Sequence, residues 1–251
     1  MKPRAALITG AARRVGREIA LHLAREGWDI GIHYGGSKDA AESLADELRQ
    51  SGREARTYQG DLRDPTAPAD VVGRFFADFP NGSLLVNNAS LFEYDTIGTF
   101  KLEHWHDHLA VNTLAPTLFM KAFHEGAAEK TCMINFLDQK VTNVTADYFT
   151  YTVSKLALFH ITDMLAQAYC PKSRVNAIAP GLLLPSGNQT QEEYERVHSQ
   201  TPLGVGATVA EICRAVAFIA ETPAMTGQVL AIDGGEHMLR PASPNAESGG
   251  M

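Results

Sequence analysis

The chain has 251 residues, of which 45% are hydrophobic, 20% charged and 8% aromatic. These are globular proportions for one or two domains at about 150 residues each, and they exclude disordered, collagenous and coiled-coil chains. Lys+Arg 22 against Asp+Glu 29 leaves a net charge of −7 with no basic run, which argues against nucleic-acid binding because neutralising phosphates needs clustered cations.

Along the chain, short apolar runs alternate with amphipathic stretches, as βαβ units do. Residues 5–8 read as a buried strand, followed by Val15, Ile19 and Leu23 at helical spacing up to Gly27. A strand over 28–34, a helix over 38–50 stopped by Gly52, and a short strand over 55–59 come next. Val71, Val72, Phe75 and Phe76 mark a helix that ends before the turn Pro80-Asn81-Gly82. Then come a strand over 83–86, a long helix over 102–123 in which Pro116 is placed to introduce a kink, and a strand over 131–136. A helix over 148–169, a strand over 174–179 closed by Pro180-Gly181, a helix over 209–220 and a strand over 229–232 complete the pattern, before Asp233-Gly234-Gly235.

This alternation predicts an α/β fold: one Rossmann-type, doubly wound parallel sheet of seven strands with helices on both faces, forming a single catalytic domain over 1–239. The ligand is expected at the carboxyl ends of the strands. The polar insertion 182–206 is expected to be a substrate lid, and the Pro-, Ser- and Gly-rich stretch 240–251 a flexible tail. No apolar stretch approaches the ~20 residues that span a bilayer. Met1-Lys2-Pro3-Arg4 leads directly into a strand-like run, as expected of a cytoplasmic chain without a secretory leader. Cys132, Cys170 and Cys213 are odd in number and far apart, and are expected to be buried small hydrophobes in a reducing compartment.

Thr9-Gly10-Ala11-Ala12-Arg13-Arg14-Val15-Gly16 joins the first strand to the first helix. Gly10 permits a tight turn, Gly16 lets helix and strand approach, and the helix N-terminus offers free N–H groups to a pyrophosphate. An NAD site generally carries an acid at the end of the second strand. Here His33-Tyr34-Gly35-Gly36-Ser37-Lys38 has none until Asp39. With Arg13 and Arg14 in the turn and the Ser37 hydroxyl nearby, the expected cofactor is NADP(H), its 2′-phosphate paired with Arg14.

Tyr151 and Lys155 are four apart in a helical pattern and share a face. An ammonium about 5 Å from the phenol, at an effective dielectric of ~20, favours the phenolate by about 3 kcal/mol, so the Tyr151 pKa is expected to fall towards a catalytic range.

Together these residues resemble the short-chain dehydrogenases/reductases over nearly the whole chain, on Thr9-Gly10-x-x-x-Arg14-x-Gly16, Asp61-Leu62, Asn87-Asn88-Ala89, Asn112, Tyr151-x-x-x-Lys155, Pro180-Gly181 and Asp233-Gly234-Gly235. The resemblance implies that Asp61 and Leu62 lie by the adenine, with Val15 and Asn88-Ala89 on the cofactor. It also implies that Asn112 holds a water relay to Lys155, that Lys155 binds the nicotinamide ribose, and that Pro180-Gly181 borders the nicotinamide. A homotetramer paired through the helices 102–123 and 148–169 follows from the same resemblance.

Where that family usually has a Ser thirteen residues before the Tyr, this chain has Asp138. An ionised Asp accepts hydrogen bonds and cannot donate one, but with a pKa raised by burial it can deliver a proton; a plain loop cap of a nearby N–H is the simpler alternative. The Asp–Tyr–Lys set, Arg14 in place of the middle glycine, His33-Tyr34 before Ser37, and Ser90 followed by Phe92 are similar to the pteridine reductase and dihydromonapterin reductase subgroup. That similarity implies a flat heteroaromatic substrate stacked on Phe92 and touching Arg14, Ser90, Asp138, Tyr151 and the lid residue Leu183. Gly35-Gly36 and Leu182-Leu183-Leu184 depart from the subgroup's loops.

The expected activity is NADPH-dependent hydride transfer to a C=N of a pterin or dihydrofolate-like ring. The alternatives are reduction of a sugar, steroid or acyl-thioester ketone, or a non-catalytic NADP-binding redox sensor. His104-Trp105-His106-Asp107-His108 reads as a solvated helix face rather than a metal site, and Glu192-Glu193-x-Glu195 as a solvated helix.

Overall fold

A computed structural model describes residues 4–185 and 190–239. Strands β1 (Arg4–Ile8), β2 (Trp28–Tyr34), β5 (Thr131–Phe136) and β6 (Ser173–Pro180) are buried almost throughout, as strands covered on both faces are, and they enclose the polar side chains of Asp29, His33, Asn135 and Asn176. With β3 (Ala55–Gln59), β4 (Gly82–Asn87) and β7 (Val229–Ile232) they form one parallel sheet in the order β3-β2-β1-β4-β5-β6-β7. The direction of winding reverses between β1 and β4, so a crevice opens at their carboxyl ends.

The two faces follow from period-two side-chain alternation. Ala6 and Ile8 of β1 point to one core, with Ile19 and Leu23 of α1 (Arg14–Arg25), Leu44 and Leu48 of α2 (Lys38–Gln50), and Ile212 and Val216 of α8 (Val209–Glu221). Ala5 and Leu7 point to the other, with Phe75 of α3 (Ala67–Asp78), Phe119 and Phe123 of α5 (Ala115–Gly126), and Leu158 of α6 (Phe149–Tyr169).

The helix expected over 102–123 is instead three pieces: α4 (Leu102–Leu109), a π-helical turn (Ala110–Leu114), and α5. The Ala115 N–H reaches five residues back to the Ala110 carbonyl, and Pro116 has no N–H with which to restore the usual spacing. The break therefore falls one turn ahead of the proline. The expected lid contributes α7 (Gln191–His198), an exposed helix started by a Thr190–Glu193 capping box. Its positions 186–189, like the whole expected tail 240–251, lie outside the described residues. Among the described residues no helix is long and apolar enough to cross a membrane.

Two expectations are corrected. Cys170 is exposed just past the end of α6, whereas Cys132 and Cys213 are buried. His108 is fully buried rather than solvated, because α4 packs against α6 and its Nδ1 meets Thr150 Oγ1 at 2.8 Å. Among the described residues no group of three metal-ligating side chains is assembled.

Candidate active site

The glycine turn is held at three points. Gly10 takes φ +64°, and a Cβ there would stand 3.0 Å from Ala89 Cα; a Cβ on Gly16 would stand 2.5 Å from the Gly10 carbonyl oxygen and 2.6 Å from Asn88 Nδ2. Helix α1 thus starts against the end of β4, where only glycine fits. Asn88 Nδ2 donates to the Thr9 carbonyl at 2.9 Å, and Thr9 Oγ1 accepts from the N–H groups of Asn88 and Ala89, each at 3.0 Å. The Gly10 N–H donates to His33 Nδ1 at 3.2 Å, and His33 Nε2 lies 3.1 Å from the Gly60 carbonyl. Burial pushes the His33 pKa down to about 4, so the ring is neutral at pH 7, with Nδ1 accepting and Nε2–H donating.

His33 and Tyr34 are grouped with Ser37 by the subgroup resemblance. Both are buried, and His33 is a strut beneath the turn. Ser37 precedes α2 and makes no side-chain capping bond, and Arg13 is exposed just before α1. Arg14, at φ +54°, sends its guanidinium to the Pro185 carbonyl at 2.9 Å. That bond carries it across the cleft to the segment after β6. Asp61 and Leu62 follow β3, two and three positions after Gln59, at the β3 edge of the sheet.

Helix α6 presents Tyr151 and Lys155, both buried, and its first turn is capped from a distance. Asp95 accepts the Thr150 N–H at 3.0 Å and the Thr150 hydroxyl, while Tyr148 enters the helix at φ +51°. The Tyr151 hydroxyl donates to Asp138 Oδ2 at 2.9 Å, and Asp138 Oδ1 accepts the Lys140 N–H at 2.9 Å. Asp138 is therefore both the loop cap and the partner of the phenol. Burial raises its pKa despite these bonds and the two lysines nearby.

Lys155 Nζ donates to the Phe136 carbonyl at 2.7 Å and lies 5.7 Å from the Tyr151 ring centre. Burial brings its pKa down to about 8. The expected lowering of the Tyr151 pKa is reversed: burial and the Asp138 carboxylate push it well above its usual value. The phenol keeps its proton.

The Asn112 side chain, on the π turn, accepts from Ser90 Oγ at 3.1 Å and from the Leu91 N–H at 2.8 Å, and donates to the Leu91 carbonyl at 2.9 Å and to Ser154 Oγ at 3.0 Å. It ties the segment after β4 to α6. On that segment Phe92 stacks on Tyr148, ring centres 4.4 Å apart, and meets Tyr151 edge-on at 4.7 Å.

One cavity of about 460 Å³ brings together Arg14, Val15, Asn88, Ser90, Phe92, Asp138, Tyr151, Lys155, Pro180, Gly181 and Leu183 from the expected set. It does not include Gly10, Arg13, Gly16, His33, Tyr34, Ser37, Asp61, Leu62, Ala89 or Asn112. Sequence reasoning missed Tyr148, Lys140, Asp147 and Glu236, which also line it. Of these, only Glu236 adjoins a recognised motif, directly after Asp233-Gly234-Gly235.

Fold and site define a nucleotide-crevice α/β oxidoreductase with a Tyr–Lys centre. A family model described as Enoyl-(Acyl carrier protein) reductase matches residues 10–237, and the chain belongs to this family of short-chain dehydrogenases/reductases. It is 28% identical over 242 residues to the 3-oxoacyl-[acyl-carrier-protein] reductase FabG of Staphylococcus aureus, covering 94% of this chain and 98% of that protein. The crystal structure of FolM Alternative dihydrofolate reductase 1 from Brucella canis, complexed with NADP, superposes with a TM-score of 0.92 at 36% identity, covering 96% of each chain. A blue fluorescent protein from a metagenomic library, in complex with NADPH, superposes with a TM-score of 0.85 at 29% identity, covering 93% of this chain and 97% of that one.

Proposed function

We propose that this protein is an NADP(H)-dependent reductase that adds a hydride to a C=N carbon of a pterin or dihydrofolate-like ring, with Tyr151 as proton donor. The observation that carries the reading is the Tyr151–Asp138 hydrogen bond at 2.9 Å. An anionic Asp beside the phenol repels a developing alkoxide but suits a ring nitrogen that takes up a proton. The NADP complexes of the FolM relative and of the blue fluorescent protein support the cofactor. So does the turn itself, since Gly10 and Gly16 leave no room for a side chain and the free N–H groups of α1 suit a pyrophosphate.

Bound NADPH supplies the hydride. Phe92 holds the flat ring against one wall of the cavity. Tyr151 gives its proton to the nitrogen as the adjacent carbon is reduced, so that C=N becomes CH–NH. Asp138, whose pKa is raised, then takes up a proton from solvent and passes it to the phenolate, and Lys155 stabilises the phenolate while it lasts. Arg14 and Leu183 close the cavity from the lid side. Asn112 positions Ser90 and α6. The exposed Leu102 and Met164 suit a homotetramer paired through α4–α5 and α6, and the exposed, unpaired Cys170 suits a reducing cytoplasm.

The FabG relatives favour reduction of a ketone as the second reading. Steady-state NADPH oxidation with 7,8-dihydropterin and with an acetoacetyl thioester separates the two. Turnover of the dihydropterin with an inert thioester is expected; the reverse pattern overturns the proposal.

A further inference from the structure

The cavity holds an acid that the proton-donor arrangement does not use. Glu236 opens the short turn Glu236–Met238 directly after Gly234 and Gly235, whose φ values of +64° and +87° bring the chain round into the crevice. Its carboxyl lines the same cavity as Asp138 and Tyr151. It lies over Gly181, where an added Cβ would stand 2.7 Å from Oε2.

Glu236 accepts from Gln139 Nε2 at 3.3 Å and from the Leu182 N–H. Among the described residues no cation pairs with it within 4.0 Å. Lys140, which acts on it from the Asp138 turn, has its ammonium held by Asp147 at 3.0 Å and Thr145 at 2.7 Å. His237, on its own turn, is bound to Asp233. Burial, with the Asp138 and Asp233 carboxylates, holds the Glu236 carboxyl above its usual range. Two half-buried acids, Asp138 and Glu236, therefore face one cavity, and Glu236 has two neutral donors but no cation to balance its charge. A carboxylate so placed gains from any hydrogen-bond donor brought to it.

We propose that Glu236 is a specificity-determining residue that accepts hydrogen bonds from a donor-bearing edge of the substrate, the N–H and amino groups of a flat nitrogen heterocycle, while Asp138 serves the reacting end. This rests on the reductase reading above and names the substrate feature that reading requires. A hydrocarbon chain or steroid skeleton brings no such donors and covers the carboxyl with only its two protein donors in place, and an acceptor so left under-satisfied is what allows a site to reject a near-isostere strongly.

The test compares the wild type with Glu236→Gln, which keeps the shape but weakens acceptance, using 7,8-dihydropterin and its analogue lacking the 2-amino group. Initial rates give KM and kcat, and quenching titrations on the NADP⁺-loaded protein give the dissociation constant for each ligand. For Glu236→Gln the expected result is a rise of about ten-fold in KM and in dissociation constant for dihydropterin, about 1.4 kcal/mol, with the loss in KM rather than kcat. The desamino analogue is expected to bind the wild type weakly and to respond little to the substitution. Glu236→Ala, with its melting midpoint recorded, repeats the comparison should the first variant be unstable. A wild type that reduces dihydropterin while Glu236→Gln behaves identically, or weakens both ligands equally, overturns the role of Glu236 alone. A wild type that neither binds nor reduces dihydropterin overturns the substrate reading and this role together.

Discussion

Asp138 stands thirteen residues before Tyr151 and accepts its hydroxyl proton at 2.9 Å, joining the exit of β5 to the first turns of α6. The effects are opposite in sign: the carboxylate disfavours a phenolate and raises the Tyr151 pKa, while the donated hydroxyl favours the carboxylate and works against the burial that raises the Asp138 pKa. Replacing Asp138 with Ser removes the relay and offers a neutral donor. The expected outcome is a fall of about 100-fold in kcat/KM for dihydropterin, with ketone reduction gained, measured by NADPH oxidation on both substrates.

Lys155 sets an alkaline limit. Its pKa of about 8 means that the ammonium beneath Tyr151 is lost as pH rises through that value. The kcat/KM profile is expected to fall by about ten-fold per unit above pH ~8. The stability effect has the opposite sign. Between about 8 and the unfolded value of 10.5, the unfolded chain holds a proton that the folded chain has shed. Stability from this group therefore rises with pH. Wild type is expected to gain on Lys155→Met across that window in urea unfolding series.

His33 sets an acid limit. Its pKa falls from 6.5 to about 4 on folding, so below 6.5 the unfolded chain takes up a proton that the buried ring refuses. Stability from this group is full above 6.5 and is lost as pH falls towards 4. Between pH 7 and 5 the loss is about 2 kcal/mol. Denaturant unfolding at the two pH values is expected to show this step in the wild type. His33→Leu is expected to lack it, and to be less stable by about 1–3 kcal/mol at pH 7 because the Gly10 N–H and Gly60 carbonyl lose their partner.

Gly16→Ala drives a methyl to within 2.5 Å of the Gly10 carbonyl oxygen and 2.6 Å of Asn88 Nδ2, both held in place by the turn. Helix α1 must back away. A stability loss of about 1–3 kcal/mol is expected, together with at least a ten-fold weaker NADPH affinity, read by melting midpoint and by fluorescence titration.

Much of this architecture was legible in the sequence because short, largely apolar segments recur between stretches of helical periodicity: the strands over 28–34, 131–136 and 229–232 fall where those segments do. Tyr151, Lys155 and Asp138 were legible through their spacing. What escaped depends on contacts between distant segments. A histidine on a polar-looking helix gives no sign that Thr150, 42 residues later, will bury it. Nor does His33 on β2 announce a bond to Gly10. The π turn was hidden because Pro116 marks a fault in the helix without saying which turn absorbs it. The Tyr151 pKa was misread because the sequence argument counted the ammonium and left out burial and the carboxylate.

The Asp95 cap has a mechanical consequence. Asp95 belongs to the segment that carries Phe92, yet it secures the first turn of the helix that carries Tyr151. In the proposed reaction, the clamp on the ring and the source of the proton are therefore tied together through one side chain. On that reading, a bulky molecule that levers the clamp outward is expected to draw the donor away with it, so that a poor fit loses reactivity as well as grip and a single aspartate discriminates twice.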